Sequence, residues 1–361
     1  MRGDAFDRRA PDVNDARRAM AATTPAPSVD EIASKIRDRF ALEIREDGGI
    51  AVDMTTGSFF ALDLTAARVC HALLSPRSSD SVLRAICDGL GITPRDAVRA
   101  AVEAWTALQA DAPRAPRATP LCYERRGDGY VLLDESTVVV QVDQRGETLR
   151  FFDRHRFSVI DYIRAVTPKV LALQGIPTLH AAAVAIGMKT VAFAGASGAG
   201  KTTTARALMT SPSDLISEDL LMLRAVEGSV TLVRSGEAQV RRWQEDVREQ
   251  LANNGTQEVS CLPLREIASG RAQEVLHEIS FLAADHRSVG VFQSERLGGT
   301  EALSLLLNHL FLGTDEPTGW RDHLRHARFV AEVVRMTRLA PPAGLQALTA
   351  AAPGYRMICA S

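Results

Sequence analysis

The apolar residues of this chain recur at alternate positions in some stretches and at helical spacing in others. Between residues 49 and 62, an alternating run, a Thr-Thr-Gly-Ser turn and a second apolar run predict a β-hairpin. Helical spacing then predicts three helices, which cover residues 65–74 with Thr65 as N-cap, 79–90 and 94–107. Strands followed by three helices are typical of a small, winged-helix-like α+β domain, which we place at residues 31–110.

The regions on either side of this domain differ from it in composition. Residues 1–30 mix Asp, Arg, Ala and Pro, which predicts a disordered leader. Residues 111–120 hold three prolines, and prolines favour extended backbone, so we expect a linker and a domain boundary there.

Residues 121–361 predict an α/β domain with a mixed sheet. Short alternating runs predict a meander of strands, and a helix follows at 158–173. Two apolar strands then flank the turn at Gly187 and Met188, and the second strand leads into a glycine-rich loop. We expect these two strands to pair antiparallel, which departs from a plain βαβ arrangement. Later helices are predicted over 238–251, 300–312 and 320–336.

The glycine-rich loop has the pattern G-x-x-x-x-G-K-[ST], which is typical of loops that bind nucleoside triphosphates. Glycines let the backbone wrap a phosphate, and the following helix N-terminus adds partial positive charge. We expect the Lys201 ammonium to reach the β- and γ-phosphates of ATP and the Thr202 hydroxyl to bind Mg²⁺. The alternative is a strand–helix turn that binds nothing. The expected nucleotide-binding residues are Gly195, Ala196, Ser197, Gly198, Ala199, Gly200, Lys201, Thr202 and Thr203.

Composition supports the assignment of Lys201 and argues against several classes of protein. Four of the 42 basic residues are lysines, so a lysine at this position stands out in a chain that otherwise uses arginine. A net charge of −2 gives no sign of a nucleic-acid partner. The five cysteines are scattered, which argues against a disulfide framework or a zinc site and suits a reducing compartment. No apolar run is long enough for a membrane span, so we expect a cytoplasmic protein.

Residues 179–203 read Leu-His-Ala-Ala-Ala-Val-Ala-Ile-Gly-x-Lys-x-Val-x-x-Ala-Gly-x-Ser-Gly-Ala-Gly-Lys-Thr-Thr and resemble the HPr kinase family. The resemblance implies a protein or peptide serine kinase whose catalytic domain is similar to phosphoenolpyruvate carboxykinase. It implies Asp219 as the base for the attacking hydroxyl and Glu218 as the metal-side acid, where the family usually has two aspartates. It implies that His180 orients Asp219 or contacts a phosphate oxygen. The glycine-rich signature of bifunctional members is not evident, so we expect no phosphorylase activity.

The N-terminal domain resembles the PqqD family, the peptide-recognition domain of ribosomal-peptide modification pathways. The resemblance rests on Asp53-x-x-x-Gly57-x-x-x-x-Leu62-x-x-x-Ala66 and the helices that follow. It implies that an extended leader peptide adds a strand at the hairpin edge around Gly49–Leu62, beside the helix at 94–107. A structural cap is the alternative. DNA binding is disfavoured, because the third helix offers only Arg95 and Arg99 as cations.

These motifs predict an ATP-dependent kinase that phosphorylates a hydroxyl, on serine, of a ribosomally made peptide or small protein bound by the N-terminal domain. Two alternatives stay open: an ATP-dependent peptide-binding chaperone or switch without phosphoryl transfer, and a small-molecule kinase. The oligomeric state, including a homo-oligomer, is also open. Because arginines are so common here, we expect Arg234, Arg241 and Arg242 to form a solvated face.

Overall fold

The computed structural model describes residues 27–55, 58–75, 78–109, 121–134, 136–152, 159–234, 236–254, 258–261, 273–282, 288, 290–311 and 317–360. These residues group into two compact units, one within Met1–Asp38 and Arg68–Ala110, the other within Arg39–Ala67 and Asp111–Ser361. In neither unit is there a described helix with the length and apolar character needed to cross a lipid bilayer.

The first unit is helical in the part of the chain that is described. Its elements are α1 (Val29–Arg39), most of α2 (Leu64–Leu74), α3 (Ser79–Leu90) and α4 (Pro94–Gln109). α1 begins inside the predicted leader because Ser28 and Glu31 form a capping box. The Glu31 N–H donates to the Ser28 hydroxyl (3.3 Å), and the Ser28 N–H donates to the Glu31 carboxylate (2.8 Å). Residues 1–26 of that leader lie outside the described residues.

The N-cap of α2 corrects one prediction. The helix begins at Leu64, and its cap is Asp63, whose carboxylate accepts the Ala66 N–H at 2.8 Å. Thr65, the predicted cap, lies in the first turn. A carboxylate bonded to a helix N-terminal N–H also gains from the helix dipole, which favours Asp63 in this role.

The second unit contains three sheets and six further helices among the described residues. Its strands are β1 (Phe40–Arg45), β2 (Gly48–Asp53), β3 (Phe59–Leu62), β4 (Leu121–Arg126), β5 (Gly129–Asp134), β6 (Thr137–Asp143), β7 (Thr148–Phe151), β8 (Thr178–Ile186), β9 (Lys189–Ala194), β10 (Leu215–Ser217), β11 (Leu220–Val226), β12 (Ser229–Val233), β13 (Glu258–Ser260), β14 (Gln273–Val275), β15 (Glu278–Leu282), β16 (Gln293–Arg296), β17 (Leu310–Phe311) and β18 (Arg335–Ala340). Its helices are α5 (Val159–Leu173), α6 (Lys201–Leu208), α7 (Gly236–Asn254), α8 (Gly299–His309), α9 (Pro317–Val333) and α10 (Leu345–Ala360).

The central sheet is mixed, as predicted. Eight strands follow the order β14-β12-β11-β8-β9-β15-β18-β16, and β10 and β17 also pair with β8. β15 pairs parallel with both β9 and β18, whereas β8 and β9 pair antiparallel from Ala181↔Ala194 to Ile186↔Lys189. The predicted antiparallel pairing before the glycine-rich loop is therefore confirmed. The structure is of the α/β class.

Two predicted helices end earlier than the sequence suggested. α8 ends at His309, because Leu310 leaves the helix and pairs with Leu179 of β8. α9 ends at Val333, because Arg335 opens β18, which lies between β15 and β16. Helix propensity is a weak preference, and pairing with an existing sheet outweighs one further helical turn.

A five-stranded antiparallel sheet of order β13-β7-β6-β5-β4 forms the second layer of this unit. Helices α5 and α7 pack with it in one hydrophobic cluster, which includes Val140 of β6, Tyr162 and Val166 of α5, and Trp243 and Val247 of α7. The two helices thus lie side by side, and they form the walls of a cavity described below.

The three-stranded sheet β1-β2-β3 packs against α8 and α9. β2 and β3 are the predicted hairpin, and β1 adds a strand that was not predicted. Ile50 and Val52 of β2 lie in the same hydrophobic cluster as Leu303 of α8. The Asp47 carboxylate accepts both the N–H (3.0 Å) and the hydroxyl (2.7 Å) of Thr300 at the start of α8. The hairpin is therefore part of the core of the second unit.

These contacts bear on the predicted domain limits of 1–30, 31–110, 111–120 and 121–361. Residues 39–67 group with the later chain, whereas the helices that follow them group with α1. The predicted linker lies outside the described residues, apart from which the limits stay predictions.

Ile50→Ala is expected to destabilise the second unit by about 2–5 kcal/mol, because it opens a cavity in a cluster shared by β2 and α8. Hydrogen exchange read by mass spectrometry should quicken in α8 and β8 as well as in β2. Val98→Ala, at an exposed position of α4, is the control and should change neither. Faster exchange confined to β1–β3 would contradict this packing.

Candidate functional site

The glycine-rich loop joins the end of β9 to the start of α6. β9 is an inner strand of the central sheet and is buried over Thr190–Ala194, so the loop leaves a rigid element. Gly198 and Gly200 have φ values of 78° and 94°, which a residue with a side chain adopts only at a cost. The first amides of α6 have no carbonyl partner within their own helix, so this end of the helix favours an anion.

Lys201 is the first residue of α6, and only 7% of it is exposed. Its ammonium donates to the carbonyls of Gly195 (3.0 Å) and Ala196 (3.2 Å), so the side chain lies against the loop. Burial lowers the pKa of Lys201, and the negative charge of Asp219 opposes this shift. The ammonium contacts carbonyl oxygens, which leaves its full charge available to an anion in the loop.

Glu218 and Asp219 lie in the corner between β10 and β11, beside β8. The Ala181 N–H donates to the Asp219 carbonyl (3.1 Å), which joins the corner to β8. The Glu218 N–H donates to the carboxylate of Glu237 on α7 (2.6 Å), which holds the other side. The Thr202 hydroxyl donates to the Glu218 carbonyl (3.1 Å), so the loop helix and the acidic corner touch directly.

His180 and Asp219 form a close pair. His180 Nε2 lies 3.0 Å from Asp219 Oδ1, and His180 is opposite Leu220 in the pairing of β8 with β11. The hydrogen bond from His180 holds the pKa of Asp219 below its usual range; burial opposes this, and the charges of Lys201 and Arg241 add to it. The Asp219 side chain is 73% exposed, so an ionised carboxylate faces solvent beside the loop. The three residues predicted as catalytic thus lie together.

Glu218 is placed differently from the other predicted site residues. Its carboxylate accepts a hydrogen bond from Arg206 Nε of α6 (2.8 Å) and another from Arg241 of α7 (3.2 Å). The bond from Arg206 lowers the pKa of Glu218, and Arg241 contributes to the shift. Only the Glu218 carbonyl contacts Thr202, the other predicted metal ligand. A metal role for the Glu218 carboxylate stays a prediction, and it requires release from the two arginines.

The arginines predicted as a solvated face have different environments. Arg241 joins Glu218 to Glu237, and Arg234 pairs with Glu274 at 3.0 Å. Arg242 alone of the three is an exposed side chain that contacts only its own helix in the described structure, at the Ala238 carbonyl. The prediction is therefore wrong for Arg234 and Arg241, because their partners come from elements distant in sequence.

His309 is a site residue that the sequence did not reveal. It ends α8 one residue before Leu310 pairs with β8, and its ring stacks on Phe281 of β15 with centroids 5.9 Å apart. Burial lowers the pKa of His309 to about 4, and the positive charges of His180 and Lys201 add to the shift. A neutral imidazole thus lies near the loop lysine at neutral pH. Its distance from the loop in sequence left no local signal.

The donor set fits a nucleoside triphosphate with Mg²⁺. A Cβ at Gly195 would lie 3.1 Å from the Leu282 carbonyl and 3.3 Å from the Ala199 Cβ, so the start of the loop has no room for a side chain. No group of three His, Cys, Asp or Glu among the described residues could hold a metal ion by itself. Mg²⁺ that arrives with a nucleotide needs only one or two protein ligands beside phosphate oxygens and water, and Thr202 and Asp219 are available for that.

Comparisons with known proteins give no assignment: no protein-family model matches the chain, and no curated protein matches it. Both family resemblances therefore stay predictions. The functional argument that follows depends on the geometry around Lys201 and Asp219.

Proposed function

We propose that this chain is an ATP-dependent kinase of the HPr-kinase type, which phosphorylates a serine hydroxyl on a peptide or small protein. The observation that carries the proposal is the exposed Asp219 carboxylate, 3.0 Å from His180 and beside a phosphate-binding loop with a buried lysine. A protein that only binds a nucleotide has no use for an exposed carboxylate held by a histidine at this position. A kinase uses such a carboxylate to hold the attacking hydroxyl.

The chemistry assigns one task to each residue. Asp219 accepts the hydrogen bond of the acceptor hydroxyl and takes its proton as the oxygen bonds to the γ-phosphorus. The bond from the γ-phosphorus to the β–γ bridging oxygen breaks, its electron pair stays on that oxygen, and ADP leaves. Lys201 stabilises the charge on the β- and γ-phosphates, and His180 orients Asp219. Mg²⁺, held through Thr202, would neutralise phosphate charge.

The proposal includes a peptide-reading role for the N-terminal hairpin. β3 is an edge strand of its sheet, so its outer backbone groups are open to an added strand. A tethered reader raises the local concentration of acceptor at Asp219. Slower hydrogen exchange in β3 when a substrate peptide is present supports this role, and unchanged exchange there opposes it.

The deciding experiment is transfer of the labelled γ-phosphate of ATP to serine-containing peptides, with nucleotide affinity measured in parallel by calorimetry. Label on a peptide serine supports the kinase. Tight ATP binding without label on any peptide, protein or small hydroxyl compound leaves the switch. Label on small hydroxyl compounds alone leaves the small-molecule kinase.

His309→Phe is expected to slow transfer about tenfold or more with little change in MgATP affinity. Phenylalanine keeps a ring to stack on Phe281 but removes the N–H that we place on a γ-phosphate oxygen. His71→Phe, at an exposed position of α2, is the matched control. Single-turnover rates measure the effect. A His309→Phe rate equal to the parent's would remove His309 from the phosphate contacts.

A further inference from the structure

A cavity of about 390 Å³ lies between α5 and α7 and reaches the corner that holds Asp219. Ile160, Leu220 and Val240 form apolar parts of its lining. Because Asp219 lines it, anything in the cavity lies beside the proposed base. Sites for small ligands range over roughly 300–1,000 Å³, so this cavity holds a short stretch of chain or a small molecule and excludes a folded domain.

Most polar groups of the lining already have partners. Arg241 binds the carboxylates of Glu237 and Glu218. The Gln244 amide donates to the Thr167 hydroxyl at 2.8 Å, which links α7 to α5 across the cavity. These contacts shape the walls, and they leave these groups little capacity to recognise a ligand.

Two charged residues of the lining differ from the rest. Arg164 of α5 and Glu245 of α7 are exposed, and the structure gives neither an ion pair with a described residue. They carry opposite charges on the two helices that form the walls. A guanidinium in this position binds a carboxylate through two parallel hydrogen bonds, which an ammonium cannot do.

We propose that this cavity is the acceptor subsite of the kinase and that it takes an acidic peptide, with a serine hydroxyl at Asp219 and a nearby carboxylate at Arg164. This inference rests on the proposed function. Glu245 repels a carboxylate on the other wall, so the acceptor enters in one orientation. The apolar lining excludes water around the reacting hydroxyl.

The direction of preference follows from the charges. Carboxylates near the serine gain a charge-assisted bond to Arg164, whereas a lysine there meets a like charge. Reversal of the Arg164 charge should then reverse the preference, which a merely structural role of Arg164 cannot produce. The side chain is exposed, so its replacement leaves the packing of α5 intact.

The test uses short peptides with one serine that differ at a single position two residues away: Asp, Asn or Lys. With the full chain and γ-labelled ATP, we expect kcat/KM for the Asp peptide to exceed that for the Lys peptide roughly tenfold or more. Arg164→Glu should invert this order, and Arg164→Gln should flatten it. Arg242→Gln, on the exposed face of α7, should keep the parent's order. N-acetylserine serves as a small acceptor with the same two groups.

The outcomes separate the subsite from the kinase. Equal rates for the three peptides, or an Asp preference that survives Arg164→Glu, overturn the subsite while the kinase stands. If no acceptor takes label, binding of the Asp and Lys peptides to the parent and to Arg164→Glu decides. Binding that discriminates and inverts supports the subsite without the kinase, and binding that does neither overturns it. Arg164-dependent label on N-acetylserine alone supports the subsite and assigns it to a small hydroxy acid.

Discussion

Lys201→Ala is expected to weaken MgATP binding by at least about 100-fold, because truncation of one partner of a buried charge pair costs about 2–5 kcal/mol. The ammonium is buried against the loop carbonyls of Gly195 and Ala196, and a triphosphate in the loop supplies the anion that it lacks. Calorimetry measures the affinity. Phosphoryl transfer should fall with binding, since Lys201 also stabilises the charge on the γ-phosphate.

Two further variants make this result specific. Lys201→Met keeps most of the side-chain volume without the charge, and it should match Lys201→Ala if charge is the cause. Lys189→Met, at the other end of β9, is the control and should bind MgATP as the parent does. Thermal unfolding without nucleotide tests whether the loop variants are folded. A folded Lys201→Met with the parent's affinity would remove the loop as the nucleotide site.

The glycine-rich loop and its two strands were predictable because their signals are local. A turn at Gly187 and Met188 between two apolar runs leaves the second strand no partner closer in sequence than the first, and the observed register agrees. The loop pattern likewise lies within a few residues of β9 and α6. The spacing of Asp219 from the loop entered only through a resemblance, yet it placed the carboxylate next to His180.

Contacts between distant parts of the chain were not predictable from local patterns. Asp47 caps α8 at Thr300, and the hairpin that looked like part of a separate module packs into the core of the second unit. His309 reaches the site because α8 ends where β17 joins β8. Glu237 binds the backbone of the acidic corner from α7. Each of these depends on tertiary packing, for which hydrophobic periodicity carries no address.

The packing of the hairpin has a consequence for its proposed role. Asp47 binds the first turn of α8, and the last residue of the same helix is His309, near Lys201. A peptide that adds a strand to β3 therefore binds a sheet that packs on the helix leading to the active site. Removal of residues 1–110 would take away both the proposed reader and the Asp47 cap.

Asp219→Asn is expected to leave MgATP affinity near the parent's and to slow single-turnover transfer at least about tenfold. A positioned base contributes about 10²–10⁴-fold in rate. Asparagine keeps the size and can still accept a hydrogen bond from His180, but it lacks the charge that takes the proton. Phosphoryl transfer depends more on placement and charge stabilisation than on a base, so the loss belongs toward the lower end.

The low pKa of Asp219 points the same way. A carboxylate held ionised by His180 is a weak base, so it holds the hydroxyl in line and accepts the proton late in the step. Glu218→Gln is the matched comparison, because that carboxylate is adjacent in sequence but held by Arg206 and Arg241. It should slow transfer less than Asp219→Asn. If Asp219→Asn matches an active parent and Glu218→Gln does not, the arginine pairs open during turnover and Glu218 is the base.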